Sequence, residues 1–306
     1  MIIDIILLIV SILALWYGAK YLVESASRIA ETFGVSELVV GLTVVAFGTS
    51  APEFAVTIGA SIKGYANISV GNIVGSNIFN LGFILGTVAI IKGIETSHRL
   101  VYRDGLFMIG VTLLLLLFFH DHQLKRWEGV ILASLLFGYL VFLFVQKEVM
   151  DEEGILHERA TSIDYIILPV SIIIIIAGGH FLVESASEIA RYIGVSEWII
   201  GVTIVAAGTS APEMVTSIVA VLKGKHGISA GNLIGSDLFN ILGVLGLAGI
   251  INPLEIDPLA IQSLLMLSGM VILVVLFLRT GWLLSRTEGA ILVSIGLTRW
   301  ILDFMK

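Results

Sequence analysis

Almost every stretch of this chain occurs twice, 160 residues apart. Residues 21–37 (YLVESASRIAETFGVSE) return at 181–197 (FLVESASEIARYIGVSE), and residues 41–53 (GLTVVAFGTSAPE) return at 201–213 (GVTIVAAGTSAPE). Residues 71–80 (GNIVGSNIFN) return at 231–240 (GNLIGSDLFN), and 126–135 (RWEGVILASL) return at 286–295 (RTEGAILVSI). The offset never changes, so the chain must build two units from one plan. Apolar segments in the first unit run over 3–25, 37–61, 69–91, 103–120 and 127–146, and the second set lies 160 residues further on. A mostly apolar segment of about 20 residues crosses a bilayer. Five crossings is an odd number, so the second unit enters the membrane from the side opposite to the first, the inverted-repeat plan of secondary transporters. The expected fold is an all-α integral membrane protein of ten transmembrane helices. Two inverted five-helix repeats, 1–146 and 163–306, are joined by an acidic cytoplasmic linker at 147–162, with helices two and seven broken at the centre.

Composition supports burial in lipid. Charged residues make up 13% of the chain and the mean hydropathy is +1.03, whereas soluble domains carry about 25% charged residues. Net charge is −7 with no basic cluster, so nucleic acid is not an expected partner. Cysteine is absent, which removes disulfides, thiolate metal sites and cysteine nucleophiles. The first residues, MIIDIILLIV, have no basic leader and read as a first span. Ten basic residues (Arg28, Lys92, Arg99, Arg103, Lys147, Arg159, Lys223, Lys225, Arg279 and Arg286) fall on one side of this layout and six on the other. The basic-rich side is expected to be cytoplasmic. The reading is a multi-pass protein of the cell membrane with both termini extracellular. The linker's acidic run reads as a solvated tether.

Chemistry enters where GTSAPE interrupts an apolar segment, at 48–53 and again at 208–213. Pro52 and Pro212 lack an N–H and cannot bond the carbonyls of Gly48 and Gly208. Irregular backbone at membrane depth must face protein, water or an ion. Glu53 and Glu213 follow each break, and an intramembrane carboxylate marks a functional site by default. Thr49 and Ser50, like Thr209 and Ser210, precede their glutamate by four and three residues, a spacing that shares one helix face. In the second block Ser76 and Asn80, and Ser236 and Asn240, are four apart on a helix. Two carboxylates, two amide oxygens and several hydroxyls form a hard-oxygen set suited to calcium, sodium, magnesium or manganese rather than copper or zinc. Two negative charges balance one calcium ion or two sodium ions, a physical basis for competition at one site. No HExxH pair or histidine cluster supports an intramembrane hydrolase. A channel is a further alternative, told apart by currents far above transporter turnover.

The doubled GTSAPE and the doubled GS-[ND]-x-F-N resemble the two alpha repeats of the calcium/cation antiporter superfamily, of the sodium/calcium exchanger type. The resemblance covers both units. It implies a calcium/sodium antiporter alternating around one central site, with no cofactor, and calcium efflux driven by sodium entry. Glu53 and Glu213 would ligate calcium, helped by Thr49, Thr209 and the backbone oxygens of Ala46 and Ala206. Ser50, Ser76, Ser210 and Ser236 would surround the sodium positions, with Asn80 and Asn240 at the middle. Spans one and six would slide against the remaining bundle. Proton/calcium antiport by the same fold is the alternative. Asn240 stands where several members have Asp, which argues against potassium co-transport. Asp237 adds a carboxylate where the first unit has Asn77, and its role stays open between ion contact, proton coupling and a helix–helix hydrogen bond. Expected partners are the two ions and membrane lipids, with the chain working as a monomer.

Overall fold

The computed structural model of the chain describes residues 2–146, 159–195, 200, 204 and 206–304. The acidic run of the linker at 147–158 lies outside the described residues, as do 196–199, 201–203 and 205. The architecture is helical. In the first half α1 is Ile2–Phe33, α2 Glu37–Thr49, α3 Ala51–Ile62, α4 Ala66–Lys92, α5 Leu100–Asp121 and α6 Arg126–Val145. In the second, α7 is Asp164–Tyr192, α8 Ala206–Thr209, α9 Ala211–Leu222, α10 His226–Ile251, α11 Pro258–Arg279 and α12 Arg286–Phe304. Each helix of the first half thus has its counterpart six labels later.

Seven of these (α1, α4, α5, α6, α7, α10 and α11) are long and apolar enough to cross a membrane, and the bent pair α2–α3 makes an eighth. Among the remaining segments, α9 is apolar but has only 12 residues. In α12 the charges of Glu288, Arg299 and Asp303 leave an uncharged stretch shorter than a span.

Helices α1 and α7 run beyond the apolar segments read at 3–25 and 163–185. Their last turns carry Ala, Ser, Glu and Arg, which keep helical propensity after hydropathy has fallen. Both end at a glycine in the left-handed region, Gly34 (φ 65°) and Gly194 (φ 86°). The next N–H bonds back five residues, Val35 to Ala30 at 2.8 Å and Val195 to Ala190 at 3.0 Å, which closes the helix end.

Burial places α4 and α10 at the centre. In their apolar windows 72% and 78% of residues are buried, against 22% in α1 and α7, which lie together at the periphery. The core joins α4, α5 and α6 to α10 and α11 without a boundary between halves. Two short antiparallel ladders also cross between halves. β1 (Ile94–Glu95) pairs with β4 (Leu283–Leu284), and β2 (Gln123–Leu124) pairs with β3 (Leu254–Glu255).

Candidate functional site

The helix formed by α2 and α3 breaks at Ser50, and the two pieces meet at 52°. Ser50 (φ −79°, ψ 7°) and Ser210 (φ −91°, ψ 8°) leave helical geometry at equivalent points. Pro52 and Pro212 then fall in the first turn of α3 and α9, where a missing N–H costs nothing. Glu53 and Glu213 are the third residues of these helices. Each serine sits at the helix start, yet neither side chain caps the helix that follows.

The hydroxyls cross to the other half instead. Ser50 Oγ donates to Glu213 Oε1 at 3.1 Å, and Ser210 Oγ donates to Glu53 Oε1 at 2.9 Å. The two bonds interchange under the 160-residue offset. Both glutamates are 0% exposed. On either side of the break at Ser50, the side chains of Thr49, Ser50 and Glu53 all find partners in the second half. Thr49 Oγ1 lies 3.0 Å from Asn232 Oδ1, 3.4 Å from Ser236 Oγ and 3.3 Å from the carbonyl of Ala46. That carbonyl also accepts the Ser50 N–H at 3.0 Å, so an ion at Ala46 would compete with the Thr49 hydroxyl. Thr209 is buried, and its hydroxyl stands with Ser210 beside Glu53. Ala206 opens α8, and Ser76 is buried on α4.

Asn80 and Asn240 lie in π-helical turns, Asn80–Ile84 and Phe239–Leu245, which interrupt α4 and α10. Such turns cluster at functional sites, since they re-aim side chains and loosen the carbonyl ladder. Asn80 Nδ2 donates to Asp237 Oδ1 at 2.9 Å, and Asn240 Nδ2 to Asn77 Oδ1 at 3.0 Å. Asn72 and Asn232 brace the glutamates from behind. Their amides donate to Thr57 Oγ1 and Ser217 Oγ, both at 2.9 Å, and reach the carbonyls of Glu53 and Glu213 at 3.4 and 3.3 Å. The sequence reading passed over Asn72 and Asn232, and named Asn77 only as the counterpart of Asp237. Asn72, Ser76 and Asn80 recur every four residues along one helix, a signal that could have exposed the first.

Among the described residues six acidic residues are buried, and they divide into two groups. Asp104 is held by Arg103 through two bonds and by Tyr139 Oη at 2.7 Å. Asp164 is held by Arg28 and Thr161, and Glu128 accepts the Lys125 N–H at 2.7 Å. Among the described residues no basic side chain pairs with Glu53, Glu213 or Asp237. Each of these three keeps one oxygen without a partner: Glu53 Oε2, Glu213 Oε2 and Asp237 Oδ2. The Oδ1 atoms of Asn80 and Asn240 are likewise unpartnered. A buried, unpaired carboxylate is costly, and here three of them stand beside neutral oxygens.

The chain matches the family described as sodium/calcium exchanger protein over residues 3–145 and 163–295. It belongs to that family. It is 34% identical to the inner membrane protein YrbG of Escherichia coli (strain K12) over 309 residues, covering 96% of this chain and 94% of that one. It is 32% identical to the sodium/calcium exchanger MaX1 of Methanosarcina acetivorans over 335 residues, covering 95% of each. A solved structure of the sodium-calcium exchanger NCX_Mj, soaked with zero Na+ and Ca2+, superposes with a TM-score of 0.87 at 28% identity, covering 97% of each chain. The chain is therefore a multi-pass membrane antiporter of the exchanger type, in a family of transporters rather than enzymes.

Proposed function

We propose that this exchanger carries calcium against sodium by alternating access, and that both ions are taken in turn by an oxygen cage centred on Glu53 and Glu213. The observation that carries the reading is the crossed clasp. Each buried glutamate is held by a serine from the other half and keeps one oxygen unpartnered. The two glutamates without a counter-cation are balanced by one calcium or two sodium ions, so the pair favours one load at a time. Thr49, Thr209, Ser50, Ser210, Ser76, Ser236, Asn80, Asn240 and the carbonyls of Ala46 and Ala206 complete the cage. Membership of the sodium/calcium exchanger family favours sodium over proton coupling.

The architecture we assign is ten spans in two inverted repeats, 1–146 and 163–306, linked by 147–162, with both termini outside. The ladders support the inversion. β1 and β2 flank α5, whose 22 residues separate them by about 33 Å at 1.5 Å per residue. β3 repeats β1, and β4 repeats β2. Since β1 pairs with β4 and β2 with β3, exchanging the halves exchanges the two ends of the bundle. The axis relating them then lies in the membrane plane.

Radiolabelled calcium uptake into sodium-loaded vesicles tests the function. An outward sodium gradient should drive uptake, and Glu53→Gln and Glu213→Gln should each abolish it. Uptake driven by a pH gradient and indifferent to sodium, or full transport in both variants, would overturn the assignment.

A further inference from the structure

The two asparagines offered to the ion can present either an oxygen or an NH2 group, and only the oxygen serves a cation. An amide's orientation follows from the hydrogen bonds its other atom makes. With Asp237 ionised, the chain of bonds has one consistent solution. The backbone carbonyl of Asp237 can only accept, so Asn77 meets it with Nδ2, at 3.0 Å. Asn77 then has Oδ1 left for its other neighbour, so Asn240 meets it with Nδ2, at 3.0 Å. Asn240 Oδ1 is left over. On the other branch the Asp237 carboxylate accepts from Asn80 Nδ2 at 2.9 Å, and Asn80 Oδ1 is left over. All four residues are 0% exposed, so no solvent competes for these bonds. The two left-over oxygens are among those without a partner.

We propose that Asp237 and Asn77 are positioning residues for the exchange reaction, forming a ladder across the two halves that locks Asn80 and Asn240 with their carbonyl oxygens toward the ion. The inference rests on the cage proposed above and assigns a role to two side chains within it. The ladder also explains why the 77/237 pair need not match. The first half uses an amide that both donates and accepts, while position 237 needs a side chain that accepts from Asn80. An amide at 237 would meet that need as well, through its Oδ1.

The test compares conservative with ablating variants at both positions, in vesicle uptake and in equilibrium binding of radiolabelled calcium to purified protein. Asp237→Asn keeps the acceptor and should bind calcium within about threefold of the parent. Asp237→Leu and Asn77→Leu leave Asn80 or Asn240 free to turn its NH2 inward, and should weaken calcium binding about tenfold or more. The half-saturating calcium concentration for uptake should rise in parallel, with a smaller change in maximal rate. Equal losses for Asp237→Asn and Asp237→Leu would mean that the carboxylate itself holds the ion, and would overturn the positioning role. Unchanged binding in both leucine variants, with only thermal stability lowered, would overturn it too. Should Asp237→Leu fail to fold, Asn77→Leu set against Asn77→Gln, which keeps both an amide donor and an acceptor, decides the matter. Failure of the cage itself would appear separately, as unimpaired binding in Glu53→Gln and Glu213→Gln.

Discussion

Ser50 and Ser210 stand where a serine ordinarily caps the helix that follows it, and forgoing that cap costs about 1 kcal/mol each. Both spend the hydroxyl on the opposite glutamate. A hydrogen bond to a charged group is worth about 1.5–3 kcal/mol, so the exchange favours the site over the helix end. Ser50→Ala and Ser210→Ala should each weaken apparent calcium affinity about tenfold, measured as uptake rate against calcium concentration. Because the two bonds are equivalents under the repeat, the losses should be alike. A tenfold disparity between them would show that the two carboxylates serve different ions. The site was legible at this scale wherever chemistry and apolar context collide: an acid or an amide inside a hydrophobic run marks itself. Which atoms meet was not legible. The reach of Ser50 to Glu213 depends on how two halves dock, and no spacing within one half encodes that.

The elements follow the sequence closely where one physical signal dominates. Apolar runs set the helices, and Pro52 and Pro212 mark the breaks. The π-helical turns at Asn80–Ile84 and Phe239–Leu245 were not legible, because a register slip of one carbonyl leaves hydropathy unchanged. Pro52→Ala would restore an N–H able to bond the Gly48 carbonyl and so favour a straight helix over the 52° bend. Maximal uptake should fall while thermal stability changes by less than about 1 kcal/mol. An unaltered uptake rate would show that the bend does not depend on the proline. A second element contact, between α5 and α6, works oppositely. Asp104 is 0% exposed and joins Arg103 to Tyr139. Asp104→Ala removes the buried carboxylate that Arg103 and Tyr139 share and should cost about 3–5 kcal/mol, read as a lowered melting temperature in detergent. Because this lock lies outside the proposed cage, calcium affinity of the folded fraction should persist.

At the scale of the molecule, the described residues of the two related halves are not packed identically. On α10, Gly231 and Gly235 are buried against α2, so tightly that a Cβ on either would come within 2.7 Å of Leu38 or Leu42 backbone atoms. Their equivalents on α4, Gly71 and Gly75, are exposed, and the residues that match Leu38 and Leu42, at 198 and 202, lie outside the described residues. Ion pairs repeat the asymmetry. At the end where α10 begins, Lys223 meets Glu24 and Lys225 meets Glu37, each at 2.6 Å, and Ser27 also donates to Glu37. At the other end Lys63, the equivalent of Lys223, is exposed, and among the described residues Lys63 makes no ion pair and Ser187, the equivalent of Ser27, has no partner; position 197, the equivalent of Glu37, lies outside them. One sequence plan in two packings accords with the alternating access proposed above, and the packed end is the one richer in lysine and arginine. Partly exposed pairs are worth about 0.2–1 kcal/mol each, so these bias the closed end rather than lock it. The absence of cysteine makes the bias measurable. In a Leu42→Cys protein the thiol lies under α10 and should react slowly with a membrane-impermeant reagent added from the lysine-rich side. Adding Lys223→Ala and Lys225→Ala should speed that labelling about fivefold, the population change that roughly 1 kcal/mol allows. Labelling unaltered by the two alanines would show that the pairs are solvated contacts, and that glycine packing alone holds this end shut.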